Sequence, residues 1–85
     1  EGKVTKMRQA IITRIHEDSD GWMVSAKADA GRVEIKWDSS KGTEENHRLA
    51  VSAFCAHFGW DPSDFRGGSL GDRYVFVDVS GQEGL

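Results

Sequence analysis

The apolar residues of this chain change period near its midpoint, and few architectures satisfy both halves. Residues 4–38 alternate apolar and polar side chains in twos. Residues 43–58 repeat with helical spacing, and residues 74–79 alternate again. A period of two buries one face of a sheet, and a period of 3.6 buries one stripe of a helix. The pattern therefore predicts an α+β domain: an antiparallel sheet of four to five strands with one helix packed on one face. The expected order is three strands, the helix, an optional short strand and a last strand.

Eighty-five residues, 38% hydrophobic and 29% charged, suit a single compact folded domain over residues 1–85. The polar residues 80–85 are expected to fray. No apolar run approaches the roughly 20 residues that cross a bilayer. No basic-then-apolar leader stands at the start. Cys55 is the single cysteine, which excludes an intrachain disulfide. These features lead to the expectation of a cytoplasmic, non-membrane protein. A core this small leaves room for dimerisation as added stability.

The strands and their turns can be placed by parity. Residues 4–16 put Met7, Ile11 and Ile15 on one face and Lys6, Arg8, Arg14 and His16 on the other, with Ala10 and Ile12 breaking the rule. Glu17-Asp18-Ser19-Asp20-Gly21 is a turn by composition. Residues 22–28 align Trp22, Val24 and Ala26 against Ser25 and Lys27. After a turn at Asp29-Ala30-Gly31, residues 32–38 set Val33, Ile35 and Trp37 against Arg32, Glu34 and Lys36.

The helix is bracketed by Thr43 as its expected N-cap, by Glu44 and Glu45 in the first turn, and by Gly59 as its stop. His47, Ala50, Val51, Phe54 and Phe58 share the core face. Leu49, Ala53 and Ala56 form a smaller stripe, followed by Trp60. Residues 65–70 read as a short strand interrupted by glycine. In residues 74–79, Val75, Val77 and Val79 oppose Tyr74, Phe76 and Asp78.

Spacing excludes most chemistry. Cys55 and His57 diverge by about 200° around a helix, so they neither chelate nor form a catalytic pair. No CxxC or HExxH arrangement occurs. His47 reads as a partly buried histidine that satisfies loop backbone near the helix start. The carboxylates cluster in turns or in the first turn of the helix, without the apolar surroundings that tune a catalytic acid. Asp18-x-Asp20-Gly21 lacks the terminal Glu of a calcium loop. Arg66-Gly67-Gly68-Ser69-Leu70-Gly71 leads into a strand, so a hairpin or bulge accounts for it better than a phosphate cradle. The expectation is a non-enzyme with no cofactor and no resident metal.

Two surfaces are candidates for binding. The polar sheet face carries Lys6, Arg8, Arg14, Lys27, Arg32 and Lys36, a set suited to nucleic acid, although Trp22 and Trp37 fall by parity on the apolar face. Charge supports a local cationic face only. Residues 1–37 hold seven Lys/Arg and six Asp/Glu, whereas residues 38–85 hold four and eight, giving the chain its net −3. The second surface is the stripe Leu49, Ala53 and Ala56 with Trp60. Its small residues allow close approach of a partner or of a second copy in a homodimer, unless the segment with Phe65 or Leu70 folds over it.

The ordered series Val33-Glu34-Ile35-Lys36-Trp37-Asp38, Glu45-Asn46-His47-Arg48, Leu49 to Gly59-Trp60, Gly67-Gly68 and Tyr74-Val75-Phe76-Val77 resembles a group of small proteins carried by phages, plasmids and other mobile elements. The likeness covers most of residues 6–79. Such proteins often have proline and asparagine in the first turn, where this chain has Glu17 to Gly21. No activity or site residue is carried over from the group. The resemblance implies an accessory protein of a mobile element acting in bacterial cytoplasm. A non-catalytic module that binds protein (itself, or a host or element-encoded partner) is the first expectation, with nucleic-acid binding through the cationic sheet face as the alternative.

Overall fold

A computed structural model describes residues 10–79. Lys6, Arg8 and residues 80–85 lie outside that range. Within it the chain forms β1 (Ile11–Asp18), β2 (Gly21–Ala28), β3 (Gly31–Lys36), α1 (Thr43–Phe58), a short 3-10 turn (Pro62–Asp64), β4 (Phe65–Leu70) and β5 (Arg73–Asp78). The expected α+β architecture holds, and residues 65–70 supply the fifth strand. All neighbouring strands are antiparallel, in the spatial order β3-β2-β1-β5-β4.

Three two-residue turns connect the hairpins, between the paired ends Asp18 and Gly21, Ala28 and Gly31, and Leu70 and Arg73. In the first, the Asp18 carboxylate accepts from the Asp20 N–H at 2.8 Å, the local bond that suits Asp to turns. The helix connection places the β4–β5 hairpin beside β1, so β1 becomes the centre of the sheet. β5 reaches only Ile11 to Arg14 of β1. Beyond that point the helix-side face loses a neighbour. Ile15 is 37% exposed there and Trp22 55% exposed, although Trp22 keeps the parity expected of it.

The core lies between α1 and one face of the sheet. Ile11 from β1, Val24 and Ala26 from β2 and Phe76 from β5 meet Ala50, Val51, Phe54 and Cys55 of the helix. Val33, Ile35 and Trp37 pack at its margin. The helix packs mainly on β1, β2 and β3 and meets β5 through His47 against Tyr74. The remainder is filled by aromatics near and beyond its end: the Trp60 ring stacks on Phe65 at 5.9 Å and touches Phe54 and Phe58. Gly59 ends the helix at φ 77°, the left-handed conformation that glycine adopts without steric cost.

The helix start differs from expectation. Gly42, not Thr43, occupies the N-cap position and offers no side chain to cap the helix. Buried Asn46 ties this end down instead. Its Oδ1 accepts from the Asp38 N–H at 2.8 Å, and its Nδ2 donates to the carbonyls of Asp38 and Gly42, each at 3.0 Å. One amide thereby fixes the loop from β3 to α1. Asn46→Ala leaves the part-buried Asp38 N–H without its partner, while the Asp38 and Gly42 carbonyls keep backbone donors, and is expected to cost about 1–3 kcal/mol in denaturant unfolding.

The glycines of β4 serve packing. A Cβ on Gly67 would collide with the Phe76 ring and stand 2.6 Å from the Val75 carbonyl. Gly67 pairs with Phe76 across the hairpin, so glycine lets a core aromatic lie over the edge strand. Gly67→Ala is expected to destabilise by about 1–3 kcal/mol while Gly68→Ala, in open space, stays within about 1 kcal/mol. Equal losses in thermal or denaturant melts would contradict this packing role.

Candidate nucleic-acid interface

Strand register fixes what the helix-free face displays. One row across it reads Gly68, Val75, Ile12, Lys27 and Arg32; the next reads Leu70, Arg73, Arg14, Ser25 and Glu34. Where the rows meet, the sheet forms a shallow basin of about 590 Å³. Arg14, Lys27, Arg32 and Arg73 line it around Ile12 and Ala28, and Asp29 adds a carboxylate to the lining. Four cations from four strands thus converge on one concavity.

Their pairing leaves much of this charge available. Arg32 reaches Glu34 at 2.7 Å and Arg73 reaches Asp72 at 3.1 Å, both at the exposed surface, where ion pairs contribute little and exchange readily. Among the described residues Arg14 and Lys27 make no ion pair. The hydrogen bond from Arg73, with the charges of Arg73 and Arg14, holds the Asp72 carboxyl below its ordinary range. Asp72 therefore stays anionic at the rim, in a two-residue turn, while the basin itself is cationic.

The basin regroups the six cations expected from parity. Arg14, Lys27 and Arg32 belong to it. Lys36 does not: it sits beyond Glu34 on β3, opposite Met23, toward the acidic first turn. Arg73 was not among the expected residues. It enters because β5 pairs with the centre of the sheet and sets Arg73 opposite Arg14. Parity within one strand gave no signal for that pairing.

The same end of the sheet brings together His16, Asp18 and Glu34, whose ligand atoms lie within 4.8 Å of one another. His16 and Asp18 are two apart on β1 and so share a face. Glu34 reaches across β2 to His16 Nε2 at 2.8 Å while also binding Arg32. One imidazole and two exposed carboxylates can offer a divalent cation three ligands, one already shared with a guanidinium. That is a more open arrangement than a four-ligand structural site.

The other chemical candidates are tied into the core. His47 is buried rather than bonded to loop backbone: its ring stacks on Tyr74 at 4.2 Å, and Nδ1 is hydrogen-bonded to the Thr13 hydroxyl of β1. Cys55 is buried, whereas His57 on the same helix is exposed. The helix stripe is uncovered but small. Leu49 is 36% exposed, Ala56 is exposed and Ala53 half-buried, while Trp60 has turned away into the core. Phe65 is buried against Trp60, and Leu70 stands 62% exposed on the opposite face, so neither covers the stripe. One leucine and two alanines fall well short of the several-hundred-Å² patches that mark partner sites.

No helix among the described residues is long and apolar enough to cross a membrane. Neither a scan against protein-family models nor searches of curated proteins and solved structures found a match.

Burial pushes the His47 imidazole below its ordinary 6.5, because the fold disfavours its charged form. As pH falls below about 6.5, the unfolded chain takes up a proton that the folded ring resists, so stability drops. Denaturant melts between pH 7.5 and 5 are expected to lose up to about 1.4 kcal/mol per pH unit from this ring. His47→Gln should be less stable at neutral pH yet have a flatter profile. A wild-type profile that rises toward pH 5 would contradict the assignment.

Proposed function

We propose that this protein is a non-catalytic nucleic-acid-binding module that uses the helix-free face of its sheet. The observation that supports the reading is the convergence of Arg14, Lys27, Arg32 and Arg73 on one basin. Phosphates favour such a cluster because each contact releases condensed counterions. The chain's net −3 is compatible with it: Asp29, Glu34 and Asp72 stand at or beside the basin against its four cations, and other acids lie in the first turn, in the first turn of α1 and around Asp61 and Asp64. A local field of opposite sign to the whole chain restricts where a polyanion can dock. Such an activity would suit a small accessory protein of a mobile element in bacterial cytoplasm.

Fluorescence anisotropy of a short labelled duplex tests the reading. Micromolar binding at low salt is expected, weakening about 10²-fold between about 50 and 200 mM salt if four phosphates are neutralised. Arg14→Ala and Arg73→Ala should each lower the magnitude of the salt slope by about one. Lys36→Ala, outside the basin, should change affinity less than about twofold. A flat titration at low salt, with the fold intact by circular dichroism, would sink the proposal.

Protein association through Leu49, Ala53 and Ala56 is the second reading, supported by the absence of any described element over them. A mass that rises with concentration in sedimentation equilibrium, and that Ala53→Glu returns to monomer with the fold retained, would favour it. A constant monomer mass would leave homodimerisation without support.

A further inference from the structure

Resting on that reading, we infer that the ligand is double-stranded DNA, gripped through its phosphates, and not a single strand read by base stacking. The carrying observation concerns where the aromatic side chains are. The chain has three tryptophans, one tyrosine and four phenylalanines, all between residues 22 and 76. None projects from the helix-free face. Tyr74 and Phe76 of β5 and Phe65 of β4 lie on the helix side, as do Trp22 and Trp37 by their register with Val24 and Ile35. Phe54, Phe58 and Trp60 come from the helix and the turn after it and pack with the core. Single-strand binders place aromatics among their cations so that successive bases stack. Here Ile12, between Val75 and Lys27 across the sheet, lines the basin.

The face offers instead an array of charge with fixed spacing. Neighbouring strands lie about 4.8 Å apart, so Arg32 on β3 and Arg73 on β5 stand roughly 14 Å apart across the sheet and, being in adjacent rows, about 7 Å apart along it, with Arg14 and Lys27 on the strands between them. The spread across the sheet is close to the roughly 12 Å width of the major groove of B-form DNA, so Arg32 and Arg73 at its two sides can meet phosphates of the two strands. Four hydrogen-bonded strands fix the backbone spacing of the array. Charge along the strands sets the footprint. Asp18 and Asp20 occupy the first turn and Glu34 lies between the basin and Lys36, so the duplex sits over the basin end, away from that turn. Contacts of this kind position a duplex without reading its bases, so binding should be indifferent to sequence.

Competition separates this inference from the broader reading. A labelled duplex bound to the full chain is challenged with unlabelled duplex, with each of its separated strands, and with a duplex of unrelated sequence. The two duplexes should compete equally within about threefold, and each single strand should need at least about tenfold higher concentration. Single strands that compete as well as the duplex, or better, overturn the inference and leave nucleic-acid binding standing. A strong preference between the two duplexes also overturns it. If no nucleic acid binds at low salt, both the inference and the reading beneath it fail. A gain-of-function variant adds a check independent of lost folding: Ile12→Tyr puts an aromatic among the cations and should raise single-strand affinity roughly tenfold, with little change for duplex. No gain by a folded Ile12→Tyr protein would contradict the claim that a missing stacking platform sets the preference.

Discussion

A single sixteen-residue helix has to close the apolar side of a sheet five strands wide, and the rest of the molecule depends on that constraint. Its first turns meet Tyr74 and Phe76 of β5 through His47 and Arg48, and its last residue, Phe58, lies over Gly31 of β3, so the edge strand β4 is left to other groups. The chain therefore sends its aromatics to the helix side: Phe54 and Phe58 from α1, Trp60 and Phe65 from the segment after it, and Phe76 laid over Gly67 of the edge strand. Concentrating large apolar groups on one face leaves the other to Ile12, valines and long cationic side chains.

Two buried polar residues fix how the helix docks. Asn46 bonds the loop that delivers the helix, and His47, the next residue, bonds Thr13 on the central strand and stacks on Tyr74 of β5. Buried polar groups stay favourable only when their partners are in place, so these contacts specify one placement where apolar packing alone tolerates several. The placement in turn determines which pairs face each other across the sheet, and Arg14 lies opposite Arg73 because β1 lies beside β5.

The sequence carried the elements and their faces more fully than their neighbours in space. Alternation at Ile11, Val24, Val33 and Phe76, and helical spacing from His47 to Phe58, were legible because periodicity is local. Gly59 marked the helix end for the same reason. Trp22 shows the limit: its parity assigned the correct face, but alternation within β2 does not encode its 55% exposure. Trp60 was grouped with Leu49 by proximity in sequence, yet stacking on Phe65 drew it into the core. Three of the four basin cations were legible by parity. Arg73 was not, because its place depends on a strand order that puts the last hairpin beside the first strand. The role of Asn46 was hidden too, since its partners are backbone groups that come within its reach only once the loop is folded.

The most direct test of the cationic face as a ligand surface is to map backbone amide shifts by two-dimensional NMR while titrating short duplex DNA at low salt. A contiguous footprint is expected on β1, β2, β3 and β5, centred on Ile12, Arg14, Lys27, Arg32 and Arg73, with the amides of α1 unmoved. A footprint centred on Leu49, Ala53 and Ala56, or no saturable shifts at all, would contradict it.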